Sequence, residues 1–597
     1  MRTNELIYDF KEDIFWERYS VFCVQGKEMW KNPVVDLLKH CGGAEAVAYS
    51  SGNCCHVLVS RELEEDFQEQ VLKYTDCTIE LEEDISPRLA AQLFLNSLTV
   101  EKPEKVWNMT GKCYIPHMEK ATEYSFPAID IHIDRENRIQ LDVRTFSDFK
   151  TLLEYYKKKD PKRAAKICRC TRYKKTLFGL ERAEDGNYIL CHDTEALDEK
   201  KSSITFLSVR EADYECTKLY DLYYVLAEMS RKYSDIIQVS FREFPSAGVI
   251  KRRSREQVAE ASLISKILME TPINLVNKTE DEESFGKLQE CLSDQIKNMI
   301  KKEPKSKPKK RAKEVCHLPV ICSDSLQEGA FNLCMIHEKD FYRNMEDAHT
   351  VSAKVPLQHI TVETIQGCRD AKALLPAVTK CIYDVIIKSD IQKKQLSLFD
   401  WKKLGIQVPV EFWMKTIGKG NEEVYGSVSI NPEGTLQFSV TKNAAEPAVQ
   451  YLQMDKSYKA VIKRGNDYNI IQDTVLFTVP DLEGIHRQME TVLPKKSISR
   501  SRENIEAVIP DIVDIRTWME KDGLYYIVGS NSYGTDGKFL RATPVRKVSV
   551  RPGSELFFLE LLPTLAMPFV RNKQYTVYPF PLKYIREYCL DIDIITE

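Results

Sequence analysis

Three side chains in the middle of the chain, Tyr342, Gln358 and Lys380, have the chemistry of a site for a terminal phosphate. A tyrosine ring can stack on a base while its hydroxyl donates to the phosphate, a glutamine amide donates a further hydrogen bond, and a lysine supplies charge. The three residues are 16 and 22 positions apart. We therefore predict a phosphate site here. The alternative is that Tyr342 and Gln358 satisfy each other in a generic α/β domain.

Two strands and a helix must position these side chains. Phe331–Ile336 and His359–Val362 have the pattern of buried strands, and Ala373–Ile387 has the pattern of a helix. In open α/β sheets, ligands bind where strands end and where helices begin. The order of these elements predicts that the phosphate site lies at such an edge.

A second candidate is a strongly basic stretch, residues 157–175, in which tyrosines are interleaved. Such a stretch can track a phosphate backbone while tyrosine rings stack on bases. The residues chosen as backbone contacts are Lys162, Arg163, Arg169 and Arg172. A solvated charged surface is the equally weighted alternative. The lysine-rich segment Lys301–Lys313 is expected to be an exposed loop.

Cysteine and histidine residues cluster near the N-terminus as His40–Cys41 and Cys54–Cys55–His56. Zinc sites usually show a CxxC or HxxxH spacing, and neither occurs in this cluster. The sequence therefore predicts buried thiols and no metal. It also contains no Walker loop, GxSxG or HExxH pattern.

Composition limits the remaining classes. The 597 residues carry 85 basic and 89 acidic side chains, for a formal charge of −4, so a uniformly basic nucleic-acid binder is excluded while local basic patches are not. No apolar run reaches the ~18–20 residues of a membrane span. The absence of an apolar leader and the 17 cysteines lead us to expect reduced thiols in the cytoplasm and no membrane partner.

The Tyr342–Gln358–Lys380 order resembles the MID domain of Argonaute/PIWI proteins, in which these residue types bind the 5′ phosphate of a guide strand. One turn after the tyrosine the family often has a lysine, whereas this chain has Glu346. Lys354 can supply the missing charge, as can Lys339 or Arg343.

The C-terminal end resembles a PIWI domain. The segments that carry this resemblance are Glu555–Leu562, Phe569–Lys573 and the Pro-x-Pro-x-x-Tyr segment Pro579–Tyr584. In that family the end of the chain packs back toward the boundary between the MID and PIWI domains. Together the two resemblances cover residues 270–597 and imply an RNase H-like PIWI domain after a MID-like domain.

Slicing members of the family cut with carboxylates that hold two metal ions, and Mg²⁺ at the cleavage site or the phosphate is the cofactor this implies. The candidate acids are Glu411, Asp467, Asp473, Asp481, Asp511 and Asp514. None stands in a pattern that names a catalytic set, so we assign no catalytic residue.

The predicted fold is α/β and multidomain. Its domains are an α+β N-terminal domain (1–125), a β-rich domain with the basic patch (126–255), a MID-like domain (256–390) and a PIWI-like domain (391–597). The resemblance implies an RNA or DNA guide paired with a complementary strand, in defence against invading nucleic acid and without slicing. The alternatives are an active metal-dependent guided nuclease and a scaffold that recruits an effector protein.

Overall fold

Local sequence signals place several helices and strands where the computed structural model of the chain has them. Helix α4 (Pro87–Glu101) begins after Ser86, whose hydroxyl accepts a hydrogen bond from the Leu89 N–H. The alternating segments that follow residue 125 form a hairpin of β8 (Ser125–Ile133) and β9 (Ile139–Asp148). The Ser-Pro pair within Asp84–Leu98 predicts a capped helix, and the alternation in Ala128–Ile133 and Ile139–Val143 predicts a hairpin. The structure confirms both.

The structure describes residues 2–29, 34–50, 53–176, 179–191, 204–208, 214–245, 248–250, 263–300, 320–343, 348–349, 355–418, 422–442, 445–480, 515–528, 539–540, 542–565, 567 and 577–591. Their packing divides the chain into two compact units. The first unit contains the described residues up to 245 with 475–480, 539–540 and 542, and the second contains the others. The chain is therefore a mixed α/β protein, as predicted.

The first unit is built on antiparallel sheets. Its strands, besides β8 and β9, are β1 (Arg2–Phe10), β2 (Tyr19–Gln25), β3 (Ala44–Tyr49), β4 (Cys54–Ser60), β5 (Thr78–Leu81), β6 (Trp107–Met109), β7 (Lys112–Pro116), β10 (Arg172–Thr176), β11 (Gly179–Arg182), β12 (Tyr188–Cys191), β13 (Leu207–Ser208), β14 (Ile237–Glu243) and β27 (Phe539–Leu540). They form a four-stranded sheet in the order β3-β4-β2-β5, a seven-stranded sheet in the order β11-β10-β12-β9-β8-β7-β6, and the pairs β1-β14 and β13-β27.

Helices of the first unit cover these sheets or cross between them. Besides α4 they are α1 (Glu12–Arg18), α2 (Val34–Leu37), α3 (Glu64–Tyr74), α5 (Phe149–Lys159), α6 (Pro161–Ile167) and α7 (Lys218–Tyr233). The predicted domain boundary at 125/126 lies at the start of β8, which pairs with β7 in the seven-stranded sheet. Because strand pairing holds the two sides together, this sheet joins residues that the sequence analysis had divided.

The second unit contains one parallel and one antiparallel sheet. Its strands are β15 (Gly248–Ile250), β16 (Ile273–Asn277), β17 (Ile321–Cys322), β18 (Phe331–Ile336), β19 (Leu357–Thr361), β20 (Val410–Ile417), β21 (Glu423–Ile430), β22 (Leu436–Thr441), β23 (Tyr458–Arg464), β24 (Asp467–Phe477), β25 (Ile515–Glu520), β26 (Gly523–Val528) and β28 (Pro544–Val550). The parallel sheet has the order β17-β16-β18-β19, and the nine-stranded sheet has the order β15-β25-β26-β28-β24-β23-β20-β21-β22.

One apolar core runs through the second unit. Its helices are α8 (Glu282–Ile300), α9 (Val362–Gln366), α10 (Ala371–Lys393), α11 (Pro447–Met454) and α12 (Pro581–Asp591). Leu333 of the parallel sheet, Val378 of α10, Val428 of the antiparallel sheet and Tyr584 of α12 belong to the same buried cluster. The predicted boundary at 390/391 therefore lies inside a helix and inside a shared core, while the one at 255/256 lies outside the described residues.

A buried charged triad holds α7 in the first unit. The side chain of His117 is 3% exposed; its Nε2 lies 2.7 Å from Asp221 of α7 and its Nδ1 lies 2.5 Å from Glu119. Burial lowers the pKa of His117, but the two carboxylates outweigh burial and leave that pKa above its usual value. The imidazolium therefore neutralises a carboxylate that would otherwise be buried alone.

Replacing one partner of this triad should destabilise the first unit. We expect Asp221→Ala to lower the free energy of unfolding by about 3–5 kcal/mol, because it removes the buried carboxylate partner of His117 and leaves only the half-exposed Glu119 beside the imidazolium. Urea unfolding followed by circular dichroism measures the effect. Asp185→Ala, which breaks the exposed ion pair with Lys174, is the control and should change stability little.

This stabilisation should also depend on pH. Because the folded-state pKa of His117 is raised, its contribution is complete below about pH 6.5 and is lost as the pH rises through the folded-state value. The stability difference between the wild type and Asp221→Ala should therefore narrow in alkaline buffer. A difference that stays constant from about pH 6 to about pH 9 would contradict a charged triad.

Candidate nucleic-acid interface

The Tyr342 side chain closes the turn that follows strand β18. Tyr342 is buried, and its hydroxyl oxygen accepts a hydrogen bond of 3.0 Å from the backbone N–H of His337, the first residue after the strand. The ring of Phe341 stacks on the His337 imidazole with 3.8 Å between the ring centroids. Tyr342 therefore lies at the carboxyl edge of the parallel sheet, where ligands of open α/β sheets bind, and already has a structural bond.

Gln358 lies near the opposite end of its strand, one position after the start of β19. Side chains alternate between the two faces of a strand. Leu357 packs on one face with Cys334 and Ile336, and Ile360 packs on the other face, toward α10. By alternation Gln358 shares the face of Ile360. Its amide makes a long hydrogen bond of 3.4 Å to the His359 carbonyl.

Tyr342 is on the face that Gln358 does not share. Its ring lies 5.7 Å from His349, which in turn lies 6.0 Å from His359. His359 alternates with Gln358 and so points to the other side of the sheet. The structure therefore does not bring the tyrosine and the glutamine together, because adjacent strand positions face opposite ways.

Lys380 is an exposed residue of α10. Among the described residues, no hydrogen bond or ion pair joins it to Tyr342 or Gln358. The lysine of this helix that reaches the sheet is Lys388, whose ammonium donates to the Leu357 carbonyl at 2.9 Å. Lys339 and Arg343 are exposed, and Arg343 pairs with Asp340. Lys354 and Glu346 lie outside the described residues.

The carboxyl edge of the parallel sheet instead holds a histidine–carboxylate pair that the sequence analysis missed. Glu363, in the first turn of α9, accepts from the ring of His337 at 2.9 Å and from the Glu338 N–H at 3.0 Å. Burial raises the pKa of Glu363, but the hydrogen bonds from His337 and from backbone N–H groups lower it more. An ionised carboxylate thus occupies donors that a phosphate would need. The sequence signal that could have pointed to this pair is His337, which directly follows the buried strand β18.

The basic stretch folds as two short helices and a strand. Asp148 caps α5 through the Thr151 N–H, and Asp160 caps α6 through the N–H groups of Lys162 and Arg163. The inner faces of both helices meet in an apolar seam. That seam consists of Leu152, Tyr156, Ala164, Ile167 and Ile189. With the apolar residues inward, the lysines and arginines project outward, and we call them the α5–α6 basic surface.

Several cations of the α5–α6 basic surface have no acidic partner within the part of the chain that the structure describes. These exposed residues are Lys157, Lys158, Lys162, Arg169 and Lys175. Two others pack on rings: the Arg163 guanidinium lies 4.4 Å from the Tyr156 ring centre, and that of Arg172 lies 5.1 Å from the Phe149 ring centre. Of the four residues predicted as backbone contacts, Lys162 and Arg169 are exposed, and Arg163 and Arg172 are partly exposed.

The tyrosines of this surface differ from the prediction that they stack on bases. Tyr156 is 7% exposed and Tyr173 is 5% exposed, since both rings belong to apolar clusters. Tyr155 is 39% exposed, and its hydroxyl accepts from Lys159 at 2.9 Å. Two of the three tyrosine rings are therefore too buried to stack on bases, and the exposed groups of this surface are mainly charged side chains.

The candidate catalytic acids are engaged by other groups. Glu411 accepts from the Lys463 ammonium at 3.1 and 3.2 Å, Asp473 accepts from Arg546 at 3.1 Å, and Asp467 accepts from the Glu555 N–H at 2.8 Å. Among the described residues, no group of ligands close enough to hold a metal includes these acids. They do not fit a two-metal Mg²⁺ site. Asp481, Asp511 and Asp514 lie outside the described residues.

Comparison with known proteins gives no family: no protein-family model matches this chain, and no curated protein matches it. Within the described residues, no helix has both the length and the apolar character needed to cross a membrane. The case for function therefore depends on the geometry and charge of the residues themselves.

Replacing Tyr342 tests whether its hydroxyl is structural. We expect Tyr342→Phe to lower the free energy of unfolding by about 1–3 kcal/mol, because the His337 N–H loses its acceptor. Chemical denaturation measures the loss, and Gln358→Met, which removes only a long bond at a strand surface, should have a smaller effect. Unchanged stability together with weaker oligonucleotide binding would show instead that the hydroxyl serves a ligand.

Proposed function

We propose that the protein binds nucleic acid through the α5–α6 basic surface. The observation that carries this proposal is the excess of positive charge between residues 157 and 175, where ten basic residues accompany a single acid, Asp160. That acid is committed to capping α6. Like charges kept this close repel one another, and a polyanion such as a nucleic-acid backbone relieves the repulsion while releasing its counterions.

Binding by this surface is expected to be independent of sequence. Phosphate contacts position a protein on nucleic acid but carry no base information. The buried state of Tyr156 and Tyr173 supports this expectation, because rings packed in a core cannot stack on bases.

A more specific form of the proposal is the guide-strand function that the resemblance implies, with a 5′ phosphate bound near Lys380 and a complementary strand recognised by base pairing. The C-terminal segment supports it. The Tyr584 hydroxyl donates to Asp390 at 2.8 Å, and Lys583 pairs with Asp384 at 3.1 Å, so the end of the chain packs on the helix that carries Lys380. The separation of Tyr342 from Gln358 weighs against it.

Slicing is the least supported form. RNase H-like domains have a sheet that includes parallel strands, whereas the seven strand pairings of the nine-stranded sheet that the structure describes are all antiparallel, including that of β20 with β23. The described candidate acids are also bonded to cations or backbone groups. We therefore propose binding without cleavage by this chain.

Neutralising the α5–α6 basic surface tests the general proposal. We expect the combined change of Lys157, Lys158, Lys162 and Arg169 to alanine to weaken binding of single-stranded RNA or DNA at least about tenfold. The slope of log K against log salt should flatten by about 2–3, at roughly 0.7 per lost phosphate contact. Fluorescence anisotropy at several salt concentrations measures both.

The matched control removes four exposed lysines elsewhere, namely Lys393, Lys402, Lys403 and Lys456. It makes the same change in net charge but leaves the α5–α6 basic surface intact, so binding should persist. Equal losses in both variants would show that only net charge matters. If the wild type binds no nucleic acid and instead retains a protein partner on purification, the scaffold alternative gains support.

Paired oligonucleotides test the guide-strand form. If it holds, a 5′-phosphorylated strand binds more tightly than the same strand with a 5′ hydroxyl, and Lys380→Ala abolishes the difference by removing the phosphate's counter-charge. Lys372→Ala, on the same helix and also exposed, should preserve it. A wild type that does not distinguish the two ends overturns the guide function and leaves the general proposal standing.

A further inference from the structure

Two neighbouring strands of the four-stranded sheet place two cysteines and a histidine on one face. In the antiparallel register of β2 with β4, Cys23 lies opposite His56 and Gln25 lies opposite Cys54. Directly opposed residues share a face of the sheet. Cys55 points the other way, into the apolar core with Phe22. Alternation therefore separates Cys54 and His56 from Cys55 and adds Cys23 to them.

The three side chains are close enough to share one ion. The Sγ atoms of Cys23 and Cys54 and a ring nitrogen of His56 all lie within 4.8 Å of one another. Tetrahedral zinc, with Zn–S near 2.3 Å, holds two sulfurs about 3.8 Å apart. The two hydrogen-bonded strands already fix the Cα atoms. Rotation of the side chains alone can therefore bring the two sulfurs from a separation of up to 4.8 Å to about 3.8 Å.

The His56 ring is oriented as a metal ligand requires. Its Nε2 donates to the Glu82 carboxylate at 3.2 Å, and its Nδ1 is buried without a hydrogen-bond partner among the described residues. Histidines bound to metals regularly donate their second nitrogen to a carboxylate, which fixes the ring and the tautomer. A buried nitrogen lone pair with no donor is unfavourable, and an ion beside the two sulfurs satisfies it.

The surroundings also suit a bound cation. The Gln25 amide donates to the Cys23 sulfur at 3.7 Å, an arrangement that favours a negatively charged sulfur. Glu80 lies opposite Cys23 on β5 and is exposed. Its side chain therefore shares the face of the sheet with the three ligands, and Glu80 or a water molecule is the candidate for a fourth ligand.

We propose that Cys23, Cys54 and His56 form a zinc site, with the ion bound by two thiolates and the Nδ1 of the imidazole. Thiolate ligands select zinc over Mg²⁺ or Ca²⁺. The sequence alone predicts no metal here, because Cys23 lies far from Cys54 and His56 along the chain. His40, the other histidine of the predicted cluster, pairs with Glu181 and is not part of the site. The proposal is independent of nucleic-acid binding.

A second group of potential ligands, Asp130, His132 and Asp142, lacks these features. The Asp130 carboxylate lies 3.4 Å from both Lys112 and Arg144 and 3.1 Å from His132. Its charge is already neutralised by the protein, so a cation has less to gain there. The Cys23–Cys54–His56 group has no such cation bonded to its ligands among the described residues.

Cobalt substitution tests the site in the full-length protein. The protein is reduced, stripped with a chelator and titrated with Co²⁺ alone and with Zn²⁺ alone. We expect one Co²⁺ per chain, with thiolate-to-cobalt charge-transfer absorption in the near ultraviolet that Zn²⁺ displaces. Cys23→Ala and Cys54→Ser should abolish this absorption, whereas Cys55→Ala, the neighbour on the opposite face, should retain it.

A supporting variant probes the positioning role of Glu82. Glu82→Gln should weaken Zn²⁺ binding by about 10–100-fold while keeping the cobalt absorption at saturating metal, because the ligands are intact. Circular dichroism shows that each variant is folded. The proposal is overturned if the reduced, folded wild type binds no Co²⁺, if Cys55→Ala loses the absorption equally, or if Cys23 and Cys54 form a disulfide and the reduced form takes up no metal.

Discussion

The second unit depends on the packing of helix α10 between the parallel sheet and the C-terminal helix α12. One side of α10 buries Val378 and Ile382 in the shared apolar core. At its end, Asp390 is 3% exposed and accepts hydrogen bonds from the Ser397 N–H and the Tyr584 hydroxyl. Burial raises the pKa of Asp390 to about 6 despite these bonds. A carboxylate that is costly to bury is thus held by donors from the turn just after α10 and from the distant helix α12, and the second of these bonds fixes how α12 meets α10.

This packing determines what Lys380 can do. Neighbouring helix positions point about 100° apart, so burial of Cys381 against the sheet turns Lys380 toward solvent. The rotation of α10 is set by its core contacts, and Lys380 takes the position that remains. Any phosphate it binds must approach from outside the core, whereas the hydroxyl of Tyr342 is committed to the turn after β18. Core packing, and not the predicted phosphate site, therefore determines where Lys380 and Tyr342 lie.

Local signals were sufficient for much of the fold. The cap at Ser86, the hairpin of β8 and β9, and the buried strand β18 each follow from a few consecutive residues, because caps, turns and alternation act over one or two turns of chain. The sequence pattern predicts a helix over Phe146–Tyr156, but the helix begins only at Phe149, since Asp148 ends the strand and caps the helix. Strand direction in the nine-stranded sheet was beyond reach, because pairing partners far apart in sequence decide it.

Strand register also explains why the predicted phosphate site and the proposed zinc site could not be judged from the sequence. The spacing of Tyr342 and Gln358 says nothing about which face of a sheet each occupies, and a shift of one position reverses the face. In the proposed zinc site, strand register brings together residues that are far apart in sequence, since Cys23 joins Cys54 and His56 only through the register of β2 with β4.

On the α5–α6 basic surface the cations chosen from the sequence are exposed or partly exposed, whereas two of the three tyrosines are buried. Elsewhere cations are paired, as Arg138 is with Asp134 and Arg231 with Glu101, and the overall charge is only −4. Between residues 157 and 175, the exposed residues Lys157, Lys158, Lys162, Arg169 and Lys175 have no acidic partner among the described residues, whereas Lys174 pairs with Asp185. Packing does not demand this arrangement, since the apolar seam beneath it would form with neutral residues outside. This segregated positive charge, on a protein without net positive charge, is the feature that supports the proposed polyanionic ligand.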